Sequence, residues 1–272
     1  MKRFLLLCLS IVAAATLVSC DPPTDVAPTQ SVAVLKSVTC EDFGFTLDLE
    51  YNSNGKLSNL VEQYIIGDPG DQFTVSYTYT IVYTNELILV KKVNAENGIA
   101  YNETSIEYTL NSAGMVTECL KKSSNVGNET VNTWQSEYTY DNDTYLAKIE
   151  YLNEYNIETL YSWDSAKNIV KMEGSADDDD YAHYGYGTLS NEIYSVDMNS
   201  VLLLFISDFN IEQMIKVAGA SSSNVMESVI LGGGNYSSGV YMSYETTDSG
   251  RIEKAFAKGE NNIAADIIFT YE

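Results

Sequence analysis

The chain has 272 residues, 45% hydrophobic and 19% charged, which excludes an intrinsically disordered polymer and leaves one large domain or two small ones. Its 38 acidic residues against 15 basic ones give a formal net charge of −23, a polyanion that repels nucleic acid and anionic membrane surfaces. One histidine, His183, excludes histidine-paired metal sites and acid–base pairs, and 21 Tyr beside 4 Pro favour strands that are half buried and half wet.

The N-terminus reads as an export signal. Lys2 and Arg3 precede an apolar run from Phe4 to Val18, too short for the ~20 residues of a spanning helix. The run ends in Leu17-Val18-Ser19-Cys20, the pattern at which bacterial lipoproteins are acylated on cysteine and cut before it. The alternatives are an ordinary cleaved signal and a transmembrane anchor. An ordinary signal ends in small residues of the A-x-A kind, which Leu17 does not fit. Residues 1–19 are therefore expected to leave, with lipidated Cys20 as the membrane anchor. Losing Lys2 and Arg3 takes the net charge from −23 to −25. Residues 20–35, with Pro22, Pro23 and Pro28, read as a flexible tether, and residues 36–272 as a single β domain.

Within that domain Phe45, Leu47, Leu49 and Tyr51 alternate with Thr46, Asp48 and Glu50. Val75, Tyr77, Tyr79, Ile81 and Tyr83 alternate with polar partners in the same way, and so do Trp134, Tyr138 and Tyr140. Ile267, Phe269 and Tyr271 close the chain. Period two means antiparallel sheet with one buried and one wet face. A strand–turn–strand unit recurs. Tyr51-Asn-Ser-Asn-Gly55-Lys-Leu57 is one copy, and Leu110 to Val116, Tyr140 to Leu146, Trp163 to Ile169 and Tyr244 to Ile252 are others. Tyr83 to Leu87 is a shortened relative. Gly55, Gly114 and Gly250 stand where such turns require positive φ, and Asn or Asp beside them bonds turn backbone.

Ser195 to Ala218 breaks the alternation. Asp197 or Asn199 is placed to cap a short helix holding Val201, Leu202, Leu204 and Phe205, and a second short helix fits Ile211 to Val217. A buried strand over Val201 to Ile206 is the alternative. Helices here would cover an open end or concave face of the sheet.

Few residues offer chemistry. Cys40 and Cys119 outlast the signal in a non-cytoplasmic compartment, so they either form one disulfide or lie as small buried hydrophobes in strands. Asp177-Asp178-Asp179-Asp180 is a candidate Ca²⁺ loop, but Ala182 stands where the twelve-residue calcium loop needs glycine, and a run of like charges ordinarily stays solvated. Trp134 and Trp163 are candidates for a platform on which sugar rings stack. Core packing is the alternative, and Trp134 shares a face with Tyr138 and Tyr140, which implies burial. Neither a nucleophile elbow nor a phosphate loop occurs, and no cofactor is implied.

Tyr138-Thr-Tyr140-Asp141 and Gly250-Arg251-Ile252 resemble the tyrosine–aspartate repeats of RHS-type proteins. The lipobox, the repeated hairpins, the apolar segment between them and the small-residue turn Gly219 to Asn224 more closely resemble a family of uncharacterised lipoproteins of Gram-negative gut bacteria with a porin-like β fold. That resemblance implies a curved or barrel-like sheet and residence at the outer membrane. It implies no activity. The expectation is a mainly β, antiparallel meander with one or two short helices near 197–218. Its function is a non-catalytic envelope module binding a lipid, glycan or other amphiphile, or else a scaffold docking a protein partner.

Overall fold

The computed structural model describes residues 32–272 apart from 69, 142–143, 153–156, 175–180, 205–210, 234–235 and 260–263. Cys20 and the acidic run Asp177 to Asp180 lie outside the described residues. The first eight strands are β1 (Leu35–Cys40), β2 (Phe45–Tyr51), β3 (Leu57–Ile66), β4 (Phe73–Tyr83), β5 (Leu87–Glu96), β6 (Ile99–Leu110), β7 (Val116–Asn125) and β8 (Asn132–Asp141). There follow β9 (Tyr145–Tyr151), β10 (Glu158–Trp163), β11 (Ile169–Gly174) and β12 (Tyr181–Ser190). Two short helices, α1 (Met198–Leu203) and α2 (Ile211–Met214), precede β13 (Asn224–Gly233), β14 (Tyr236–Thr246), β15 (Ile252–Gly259) and β16 (Ala264–Tyr271). Each strand pairs antiparallel with the next, and β1 pairs with β16, Val38 opposite Phe269, so the meander closes into a barrel.

Alternation sorts the two faces. Phe45, Leu47, Leu60, Ile88, Leu146 and Ile149 point inward and are fully buried. Asp48, Glu50, Glu107, Glu118, Glu137 and Asp266 alternate with inward residues and face water. Cross-strand pairs decorate this outer wall, among them Lys91–Glu103 at 3.1 Å and Lys254–Asp266 at 2.6 Å, each contributing at most ~1 kcal/mol. A membrane-spanning barrel carries an apolar outward band about 25 Å tall. Here charged residues stand among the outward positions, beside exposed Val82, Leu89, Leu160 and Ile268.

The hairpin repeat has a structural purpose that the turn alone does not explain. An aromatic in the later part of one strand donates a hydrogen bond to a backbone carbonyl near the start of the strand before it in sequence. Tyr51 Oη reaches Leu35 O at 2.7 Å, Tyr83 reaches Leu57 O at 2.9 Å, and Tyr140 reaches Val116 O at 2.7 Å. Trp163 Nε1 donates to Leu146 O at 2.9 Å, Tyr186 to Ile169 O at 2.6 Å, and Tyr271 to Ile252 O at 2.8 Å. Tyr244 donates to Met226 O. Leu110 ends β6 and has no such donor. These clamps ring one end of the barrel. Tyr186 and Tyr271 belong to the ring although no turn motif follows them.

The turns match their expected chemistry. Asn52 Oδ1 accepts from the Asn54 and Lys56 amides at 2.9 and 3.1 Å, and Asn111 Oδ1 does the same for Ala113 and Met115. Gly55 has φ +73° with nothing near its absent Cβ, while Lys167 holds φ +68° at the equivalent place in the Trp163 copy. Opposite outcomes are expected. Gly55→Ala costs about 1 kcal/mol through backbone strain, whereas Lys167→Gly stabilises by up to about 1 kcal/mol by removing it. Urea midpoints of the two variants check the pair. A shift of the same sign in both would refute it.

A sixteen-stranded barrel is wide enough to enclose a channel unless something fills it. The described residues between Asn191 and Ser223 do so at the clamped end. Asp197, not Asn199, caps α1, its carboxylate accepting from the Asn199 and Ser200 amides. α2 stops at Met214, short of Val217, because Lys216 turns left-handed at φ +58° and Val217 N–H bonds back to Glu212 O at 3.0 Å. Met198, Val201, Leu202 and Met214 are completely buried. The plug is stitched to the wall by backbone bonds from Val116 N to Val217 O at 3.0 Å and from Ala220 N to Thr144 O at 2.9 Å. Gly219 permits this approach, since a Cβ there would lie 2.5 Å from Thr144 O.

Candidate binding site in the barrel mouth

Among the described residues the plug closes one end. Toward the other end α2 forms a floor. Glu212 is buried, and its Oε2 and Oε1 accept hydrogen bonds from Tyr108 of β6 at 2.8 Å and Tyr138 of β8 at 2.9 Å. Above this floor lies a cavity of about 250 Å³ lined by Tyr79, Ile106, Tyr108, Tyr138, Tyr151 and Trp134, with Lys92, Lys121, Cys119 and Ser136 among them. Each of these wall residues occupies the inward position of its strand, so the same alternation that builds the core builds the site.

Trp134 is 43% exposed. It does share the inward face with Tyr138, but it stands above the plug, where the lumen is open, so facing inward does not bury it. Lys121 Nζ lies 5.4 Å from its ring centroid. Lys92 Nζ lies 4.6 Å from the Tyr77 ring and 5.1 Å from that of Tyr79. Such contacts hold flexible amines in place at little cost in charge. Trp163 is not part of this site. Its indole belongs to the clamp ring and packs on Tyr145 with centroids 5.0 Å apart.

Cys40 and Cys119 are both free and buried. The disulfide expectation is therefore corrected in favour of two small buried hydrophobes. β1 and β7 lie six strands apart around the wall, beyond the reach of an S–S bond. Cys119 lines the cavity, but burial, reinforced by Glu212, pushes its thiol up to about 12, so it carries no thiolate at neutral pH. Burial likewise holds the Tyr108 and Tyr138 hydroxyls well above their usual range, with the Glu212 charge adding to it. These walls present aromatic faces, hydroxyls and two ammonium groups to the cavity. Among the described residues no group of three or more His, Cys, Asp or Glu is placed to hold a metal. His183 is an exposed strand residue against Tyr181.

Two buried carboxyls bear on pH. Glu62 accepts from Tyr64 Oη at 2.5 Å, and Asp197 accepts the α1 amides, yet burial outweighs these bonds and raises both above the ordinary carboxylate range. A folded-state value above the unfolded one contributes stability that is complete below the unfolded value and is lost as pH rises through the folded one. Self-repulsion at a net charge of −23 acts in the same direction. The melting temperature is therefore expected to be higher near pH 5 than near pH 8, with Glu62→Gln flattening the dependence. Calorimetry at constant ionic strength checks this, and a lower value at pH 5 would contradict it.

Glu212, Tyr108, Lys92 and Lys121 were not singled out from sequence. The one local signal was an acid, Glu212, in the short helix expected over Ile211 to Val217.

No protein-family model matches the chain, and no curated protein matches it in sequence. By structure it is similar to a porin-like protein from Bacteroides uniformis ATCC 8492, with TM-score 0.60 and 15% identity over 89% of this chain and 100% of that one. A porin-like protein from Bacteroides vulgatus ATCC 8482 aligns at TM-score 0.34 and 10% identity over 84% of this chain and 79% of that one. The first likeness extends to the fold alone.

Proposed function

We propose that this protein is a lipid-anchored envelope module, non-catalytic, that binds a glycan in the open mouth of its barrel. The observation that carries the reading is Trp134, a large aromatic left 43% exposed on the inner wall above a filled core. Around it stand aromatic faces, two ammonium groups and hydroxyls, the mixture that stacks sugar rings and bonds their hydroxyls. The void between the plug and the wall, lined by Leu146, Ile169, Met172 and Tyr184, is about 40 Å³, too small for an acyl chain. The mouth itself is small for a ligand cavity, below the usual ~300–1,000 Å³, which suits the end of a saccharide better than a whole lipid.

The anchor fits this arrangement. Ala33 joins the plug, its N–H bonding Ile193 O at 2.7 Å and its carbonyl accepting from Ser195 N at 3.0 Å. The chain therefore enters the barrel at the plugged end, and the mouth opens at the opposite end. The 13 residues from Cys20 to Val32, ahead of the anchored Ala33, reach at most about 45 Å when fully extended. The lipobox reading and the porin-like fold together support an outer-membrane location.

A second reading, a scaffold docking a protein partner, is favoured by one observation. Ile65, Ile99, Val126, Val131 and Leu152 sit exposed at or beside successive hairpin ends around the mouth, Ile99 at 74%.

The test is an array of neutral and acidic mono- to hexasaccharides, probed with wild type and Trp134→Ala. Trp134→Ala is expected to keep its melting temperature and lose binding at least ~10-fold, as removal of a stacking side chain implies. Absence of any Trp134-dependent binding would refute the glycan reading and leave the scaffold. In parallel, Cys20→Ala should move the protein from the detergent to the aqueous phase.

A further inference from the structure

Rimward of the cavity the inner wall changes character. Strand register places Tyr77, Asn94, Asn102 and Asn125 in one row across β4 to β7. The next row toward the plug carries Lys92, Thr104 and Ser123. Most of these groups saturate one another. Thr104 Oγ1 donates to Ser123 Oγ at 3.0 Å, Ser123 Oγ to Asn102 Oδ1 at 3.1 Å, and Asn102 Nδ2 to Asn125 Oδ1 at 3.2 Å.

Asn94 Oδ1 is the exception. Among the described residues it is the buried side-chain polar atom with no hydrogen-bond partner. An acceptor left unmade inside a protein is unfavourable, and native structures retain few. Asn94 stands two residues beyond Lys92 on the same inward face, about 7 Å further up the wall. Its oxygen is turned under its neighbours, but the amide torsion of asparagine is broad and roughly two-fold. Rotation about the Cβ–Cγ bond would turn the oxygen toward the lumen, the side that Asn94 faces by its register.

From this we infer that the glycan site continues up the β5–β7 wall as a second sugar subsite, in which the Asn94 amide oxygen accepts a ring hydroxyl. The inference rests on the glycan reading above and names its ligand class: a saccharide of at least two rings, one at Trp134 and one beside Asn94, donating a hydroxyl rather than presenting an anion. The amide and hydroxyl ladder of Asn102, Thr104 and Ser123 holds this part of the wall in place, so the Asn94 amide alone has to rotate when the ligand arrives.

The experiment uses the saccharide that binds wild type in a Trp134-dependent manner, as its single-ring and three-ring forms, titrated calorimetrically into wild type and Asn94→Leu. Leucine has nearly the same shape and no acceptor. Affinity for the three-ring form is expected to fall ~10-fold, that for the single ring to stay within about twofold, and the melting temperature to hold or rise. A merely structural asparagine would lower the melting temperature and leave the ratio of affinities unchanged. Equal three-ring affinity in both proteins overturns the subsite while leaving the mouth reading intact; no Trp134-dependent saccharide at all overturns both. Should Asn94→Leu fail to fold, a crystal structure of wild type with the three-ring ligand decides: a ring hydroxyl on Asn94 supports the subsite, and a water alone there overturns it.

Discussion

Asp197→Ala is expected to cost about 3 kcal/mol of unfolding free energy. Asp197 Oδ1 accepts from the Asn199 amide at 2.9 Å, the Ser200 amide at 3.4 Å and Asn191 Nδ2 at 3.1 Å. Loss of a helix cap costs ~1–2 kcal/mol, and a buried amide left without its acceptor another ~1–3 kcal/mol. Relief of the buried charge returns part of this. Asn191 makes the damage propagate, because it also donates to Ser222 O at 2.9 Å and its Oδ1 accepts from Met198 N at 2.9 Å. One side chain thus ties together both ends of the plug segment. Asp197→Asn keeps an acceptor oxygen and should fall between alanine and wild type. Equilibrium urea unfolding measures the series. A loss below about 1 kcal/mol for alanine would show that the plug is held by apolar packing alone.

Glu212→Leu is expected to cost about 2–4 kcal/mol. Both carboxylate oxygens are engaged, and leucine leaves the Tyr108 and Tyr138 hydroxyls without the acceptor that fixes them. Each buried hydroxyl so orphaned costs ~1–3 kcal/mol, offset in part because the carboxylate no longer has to be desolvated. Glu212→Gln retains one acceptor oxygen and should lose about half as much. The control is a double-mutant cycle: in the Tyr108→Phe background Glu212→Leu should cost ~1–2 kcal/mol less, which is the coupling of that pair. Simple additivity of the two substitutions would show that the bond contributes nothing. The position matters for function as well as stability, since Glu212 and its tyrosines form the floor of the cavity and fix its depth.

Local chemistry wrote much of this molecule legibly. Alternation along Phe45 to Tyr51 and Val75 to Tyr83 identified strands and the side that each buries, because strand geometry puts every second residue on one face whatever surrounds it. Asn52 and Gly55 identified a hairpin turn, because positive φ and a side-chain bond to backbone are settled within five residues. Asp197 marked the start of a helix for the same reason.

What sequence left open depended on distance along the chain. Closure needs Val38 to meet Phe269, and nothing in either strand names the other. The clamp tyrosines looked like ordinary strand ends, since their acceptors lie 16 to 26 residues away across a strand pair. Cys40 and Cys119 allowed a disulfide until the wall separated them. Trp134 was assigned correctly to the inward face and wrongly to the core. Alternation gives the direction of a side chain but not how far the lumen is filled at its height. That height is set by the plug, through a bond between Glu212 and Tyr108, 104 residues apart. Sequence by itself determined the strands, their turns and an antiparallel meander. Only the tertiary structure decided that the meander closes, that a helical segment fills one end, and that an aromatic mouth stays open at the other, because burial is a property of everything packed around a residue rather than of its place in a pattern.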